Sequence, residues 1–74
     1  MDANSLLTKL TEAAKYQGIT TDTGIAKAIG VTHPAITHLR IGRRQPGVRV
    51  LHGIAVAFPS LEADIMDYVR TGGK

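Results

Sequence analysis

His33 and His38 stand five residues apart, and His52 stands alone. Side chains five apart do not share one face of a helix, so the pair lacks the spacing of a zinc site. His38 as a general base would need an orienting carboxylate, and no Asp or Glu occurs between residues 23 and 61. The chain has no cysteine, which removes thiol nucleophiles, disulfides, iron–sulfur clusters and cysteine zinc sites. These residues predict no enzymatic activity, no cofactor and no metal. They can instead hydrogen-bond and neutralise anions. Lys27, Arg40, Arg43, Arg44 and Arg49 fill the acid-free window, while the flanks hold four cations against six acids. The net charge of +3 is thus unevenly laid out, and a basic block between acidic ends suits a polyanion on one face.

The elements that must hold these residues read as five helices and no strand. At 74 residues the chain is expected to form a single domain, 1–74, with a thin core and no cleft between lobes. The first helix is expected over about 5–17, with Leu6, Leu7, Leu10, Ala13 and Ala14 at helical spacing and Asn4 or Ser5 as the cap. The second, over about 22–29, has Thr21 at its cap and Asp22 at the positive end of the dipole. Ile25, Ala26 and Ile29 form its apolar face, and Gly24 is a local flaw costing roughly 1 kcal/mol against Ala. Gly30 stops it in a left-handed turn.

Thr32 caps a third helix over about 33–41, with Pro34 tolerated in its first turn. Gly42 ends it, and a basic loop follows from Arg43 to Gly47. The fourth helix, over about 48–58, is expected to turn Val48, Leu51, Ile54, Ala55 and Phe58 inward. Pro59 and Ser60 start a fifth over about 61–69, with Leu61, Ile65 and Val69 on one stripe. Residues 70–74 read as a frayed tail. Two short helices about Gly30 have the layout of a helix-turn-helix. Ala26 is small where they cross, Val31 plugs the angle between them, and Ile25, Ile29, Ile36 and Leu39 bury the shared face. The outer face of the third helix is then His33, Pro34, Thr37 and His38, with Arg40 beside it.

The run Ile25-Ala26-Lys27-Ala28-Ile29-Gly30-Val31-Thr32, then Ile36-Thr37-His38-Leu39 and Arg40-Ile41-Gly42-Arg43-Arg44-Gln45-Pro46, resembles the phage-repressor and Cro-type (Xre-like) helix-turn-helix DNA-binding family. The resemblance covers residues 10–65, and implies an all-α, compact, five-helix lambda-repressor-like bundle with a helix-turn-helix in helices 2 and 3. It further implies a small repressor/Cro-like transcriptional regulator of phage or bacterial type, reading double-stranded DNA in the major groove with helix 3. His33, Pro34, Thr37 and His38 would face base edges, where His38 can meet guanine and Thr37 or Pro34 a thymine methyl. Thr21, Asp22, Lys27, Thr32, Arg40, Arg43 and Arg44 would lie along phosphates, fixing register and affinity. The chain departs from the family at Asp22, where Gln is usual. It also has Ala14 and Arg40 where an Arg–Glu bridge is usual, which leaves Arg40 for DNA or for Glu12.

Glu62, Asp64 and Asp67 make the outer face of the fifth helix acidic, so it should point away from DNA. Phe58, Met66, Tyr68 and Val69 are candidates for a homodimer contact, at least on DNA, or for a protein partner through helix 5. The alternative function is a protein-interaction adaptor or antitoxin-like module on the same fold, with DNA binding secondary. The N-terminus carries Asp2 and no apolar signal segment, and the run 50–58 is far short of the ~20 residues that cross a bilayer. No membrane role is expected, and the location implied is the cytoplasm, at the nucleoid.

Overall fold

The first helix starts earlier than Asn4 or Ser5 would place it, because Asp2 caps it. Its carboxylate accepts the backbone N–H of Ser5 at 2.8 Å, and that bond holds the Asp2 carboxyl below the usual carboxylate range. A computed structural model describes residues 1–73. Its elements are α1 (Ala3–Tyr16), α2 (Asp22–Ile29), α3 (His33–Arg40), α4 (Val48–Ala57), a 3₁₀ turn (Pro59–Leu61) and α5 (Glu62–Arg70). No strand occurs among the described residues. They form a compact all-helical globule of 29 × 25 × 18 Å. None of the helices is long and apolar enough to cross a membrane.

α2 is bracketed by local chemistry. The Thr21 hydroxyl accepts the Gly24 N–H at 3.1 Å, which satisfies one of the N–H groups a helix start leaves unpaired. Gly30 closes the other end at φ +78°, a left-handed conformation that costs a side chain roughly 1–2 kcal/mol. The N–H groups of Gly30 and Val31 both return to the Ala26 carbonyl. Gly24 is not the flaw it looks in sequence. A Cβ there would stand 2.8 Å from Ile19 Cγ2 and 3.2 Å from the Thr21 hydroxyl, so the missing side chain makes room for Ile19 and the cap.

α3 is seated by Ile36 and Leu39, both buried, and ends one residue before Ile41. α4 packs differently from the inward set Val48, Leu51, Ile54, Ala55 and Phe58. Ile54 and Phe58 are buried, Leu51 and Ala55 are half-buried, and Val48 is exposed. The reason is the contact with α2: a Cβ on Gly53 would collide with the Ile29 carbonyl oxygen. That approach turns the Val50–Ile54–Phe58 side of α4 to the core and Val48 outward.

On α5 the inward stripe is Leu61, Ile65 and Tyr68, with Val69 exposed. Tyr68 replaces Val69 because its hydroxyl donates to Gln45 Oε1 at 2.8 Å, a polar anchor a valine cannot offer. Residues 71–73 do not fray as expected. The N–H of Gly73 donates to the Tyr68 carbonyl at 3.0 Å, and that of Gly72 to Val69 at 3.2 Å. The Thr71 hydroxyl accepts the Met1 amine at 3.1 Å, and Asp67 pairs with that amine at 3.2 Å. Lys74, also read as tail, lies outside the described residues. Around Leu6, Leu10, Ala14, Ile25, Ile36 and Phe58, each at most 2 % exposed, a single apolar cluster ties all five helices. Burial of this kind, at roughly 25 cal/mol per Å² of apolar surface, is what holds such short helices together.

Candidate nucleic-acid interface

α2, α3 and the loop 41–47 carry most of the candidate site residues. His33 and Pro34 of α3 and its cap Thr32 are exposed, with Thr37 and His38 half-buried. The start of α3 is fixed by Thr32, whose hydroxyl accepts the Ala35 N–H at 3.4 Å. The Thr37 hydroxyl donates to the His33 carbonyl at 3.3 Å, so its proton is spent on its own helix while its oxygen can still accept. Gly30, Val31, Thr32 and Ala35 line a shallow concavity with Arg49 and Val50 from α4. A cation there sits beside the positive end of the α3 dipole, which favours an anion in the concavity.

Arg40 is not aimed at Glu12, nor is it a loose cation. Its Nε donates to both carboxylate oxygens of Asp22, at 3.0 and 2.9 Å. Its Nη2 lies 2.8 Å from Asp22 Oδ1 and donates to the Thr11 hydroxyl at 2.9 Å. The Thr11 hydroxyl in turn donates a hydrogen bond to the Leu7 carbonyl at 2.8 Å. One guanidinium therefore ties α1, α2 and α3 together, and the Arg40 and Asp22 charges cancel. Asp22 is the only carboxylate in α2, α3 or the loop. With it neutralised, the net charge of that region comes from Lys27, Arg43 and Arg44, all exposed. No ion pair holds any of these three among the described residues.

The loop that carries Arg43 and Arg44 is anchored at both ends. The Arg43 N–H donates to the His38 carbonyl at 2.9 Å, and the Gly42 N–H to Leu39 at 3.3 Å. At the far end Pro46 is buried and Gln45 holds the Tyr68 hydroxyl. Sequence reasoning missed Thr11 and Gln45. Their partners lie 29 and 23 residues away, and no local pattern points to them.

Thr21 and Thr32, read as phosphate contacts, are exposed caps of α2 and α3. The contact set proposed for helix 5 divides. Met66 and Val69 are each 55 % exposed, but Phe58 and Tyr68 are core residues at 1 and 7 %, so neither offers a surface to a partner. The acidic face expected of helix 5 is also thinner than its sequence suggests. Asp64 turns to Lys9 of α1 at 3.9 Å and Asp67 to the Met1 amine. Among the described residues no group of three or more His, Asp or Glu converges as a metal site would require.

No protein-family model, curated protein or solved structure matches this chain.

Proposed function

We propose that the chain is a small, sequence-specific double-stranded-DNA-binding regulator of the repressor/Cro kind, acting by occupying its site rather than by catalysis. In this reading α2 and α3 are the helix-turn-helix of a lambda-repressor-like bundle and α3 enters the major groove. The observation that carries it is the absence of any free carboxylate across α2, α3 and the loop 41–47. The one acid there, Asp22, is held by Arg40, and Lys27, Arg43 and Arg44 are left exposed. A groove between phosphates attracts such a cationic surface and repels an acidic one.

Within that reading His33, Pro34, Thr37 and His38 read base edges. Thr21, Lys27, Thr32, Arg43 and Arg44 contact phosphates, and Asp22 contributes its backbone N–H at the start of α2. Arg40 changes role: bound to Asp22 and Thr11 it positions α3 against α1 and α2. The cell compartment follows from the partner, the cytoplasm at the nucleoid.

Selection of sites from a random duplex library at near-physiological salt tests the reading. Enrichment of a common core of four or so base pairs is expected, matching the roughly 12 Å length of an eight-residue helix. His38→Ala should then cost about 1–3 kcal/mol on the best site and little on random DNA. Arg43→Ala and Arg44→Ala should weaken all DNA alike and each lower the salt slope by about one. Binding only at low salt with no enrichment would discard the regulator in favour of a protein-interaction adaptor.

A further inference from the structure

The loop 41–47 is fastened unevenly. Its first half is laced to α3 by main-chain bonds, from the N–H of Ile41 to the Thr37 carbonyl at 3.1 Å, of Gly42 to Leu39 at 3.3 Å and of Arg43 to His38 at 2.9 Å. Beyond Arg43 the lacing stops. Neither Arg44 nor Gln45 has a main-chain hydrogen bond among the described residues, and Pro46 has no N–H to give. The second half is held by the burial of Pro46 and by one side-chain bond, from the Tyr68 hydroxyl to Gln45 Oε1 at 2.8 Å. The donor is fixed in place. Its ring lies in the core at 7 % exposure, and the turn at Gly73 closes against it: a Cβ there would stand 3.2 Å from the hydroxyl oxygen and 3.3 Å from Cε1 and Cζ. A phenylalanine would fill the same core, so the oxygen adds its bond to Gln45 rather than packing.

We propose that Tyr68 and Gln45 are positioning residues for the phosphate contacts: by tying the second half of the loop to α5 they hold Arg43 and Arg44 ready for the backbone of DNA. This rests on the reading of the chain as a DNA-binding regulator. A long side chain on a loose loop loses more freedom when fixed on a phosphate than one on a loop already held, and that loss lowers affinity. Arg44, next to Gln45, depends on the bond more than Arg43, which has its own main-chain tie to His38. α3 does not depend on it, being seated by Ile36 and Leu39 and clamped through Arg40. The bond therefore governs affinity and not the choice of sequence. Being buried, Tyr68 acts on DNA only through Gln45.

The test compares Tyr68→Phe, Gln45→Ala and the double variant with the wild type on two duplexes, the best site selected from the library and a random sequence. The temperature is one at which all four chains are folded by circular dichroism. Tyr68→Phe is expected to weaken both duplexes by roughly threefold to tenfold and to leave their ratio unchanged. Gln45→Ala should match it, and the double variant should lose no more than either alone, because each removes the same bond. Trypsin gives a second readout without DNA. In Tyr68→Phe, cleavage after Arg44 should quicken roughly threefold or more relative to cleavage after Lys9, in the middle of α1. A substitution that only destabilised the fold would speed both cuts together. Losses that add in the double variant, or a loss confined to the selected site, would overturn the proposal. Variants that bind and are cut like a DNA-binding wild type would overturn the positioning alone, whereas a wild-type chain that binds neither duplex would overturn the regulator reading and the positioning with it.

Discussion

α3 and α5 are nearly equal in length, eight and nine residues, yet they are held and dressed in opposite ways. α3 is started by a threonine side chain and a glycine turn, and its floor is sealed by Ile36 at 0 % exposure. α5 has no side-chain cap and follows a 3₁₀ turn. Its floor, Ile65, borders an open groove between α4 and α5 that Leu51, Ala55 and Val69 also line. Outward, α3 shows hydroxyls, imidazoles and a proline ring, whereas α5 shows a methionine and a valine between a carboxylate and a guanidinium. The contrast teaches that the fold spends its stiffness under the polar helix. Reading a groove by hydrogen bonds, the role proposed for α3, needs fixed geometry.

The largest test of that contrast is in the two floors. Ile36→Ala should cost about 2–5 kcal/mol in chemical denaturation, as a fully enclosed side chain leaves a cavity. Ile65→Ala should cost less, because its site opens on the groove and water can follow. Equal losses would break the comparison. Tyr68→Phe comes next and probes the link between α5 and the basic loop. Removing the donor to Gln45 should cost about 1 kcal/mol, and an unchanged midpoint would mean that water replaces the bond without loss. The smallest effect is the Asp22–Arg40 coupling. Both side chains are about one-third exposed, at 31 and 34 %, so solvent screening limits a double-mutant cycle of Asp22→Asn and Arg40→Met to about 0.5–1 kcal/mol. A coupling near zero would leave α3 held by packing alone.

What could be read in the sequence was what local chemistry decides. α2 was legible to the residue because Thr21 and Gly30 bracket it, and Ile36 and Leu39 were legible as the seat of α3 from spacing alone. The start of α1 was not, since Asn4 and Ser5 are as suitable caps as Asp2. On α5 the stripes Leu61–Ile65–Val69 and Leu61–Ile65–Tyr68 both suit a helix. The choice between them was made by Gln45, far away in the chain. The same limit governs the candidate site. Its cations and histidines stand out by composition, but the pairing of Arg40 with Asp22 depends on how α2 and α3 meet. Gly24 looked costly because the side chain that needs its space, Ile19, belongs to the preceding loop.

The close approach at Gly53 bears on the order in which the chain acquires its shape. α4 has a glycine at its centre, three valines and no side-chain cap, all of which lower its tendency to be helical by itself. Its helicity is borrowed from the backbone of α2, which must already be in place to receive it. α4 is therefore expected to form late in folding, with φ-values near zero for its side chains and higher ones for those of α2. Stabilising α4 by substitution away from Gly53 would slow unfolding and leave the folding rate nearly untouched, lengthening the life of the native state without hastening its birth.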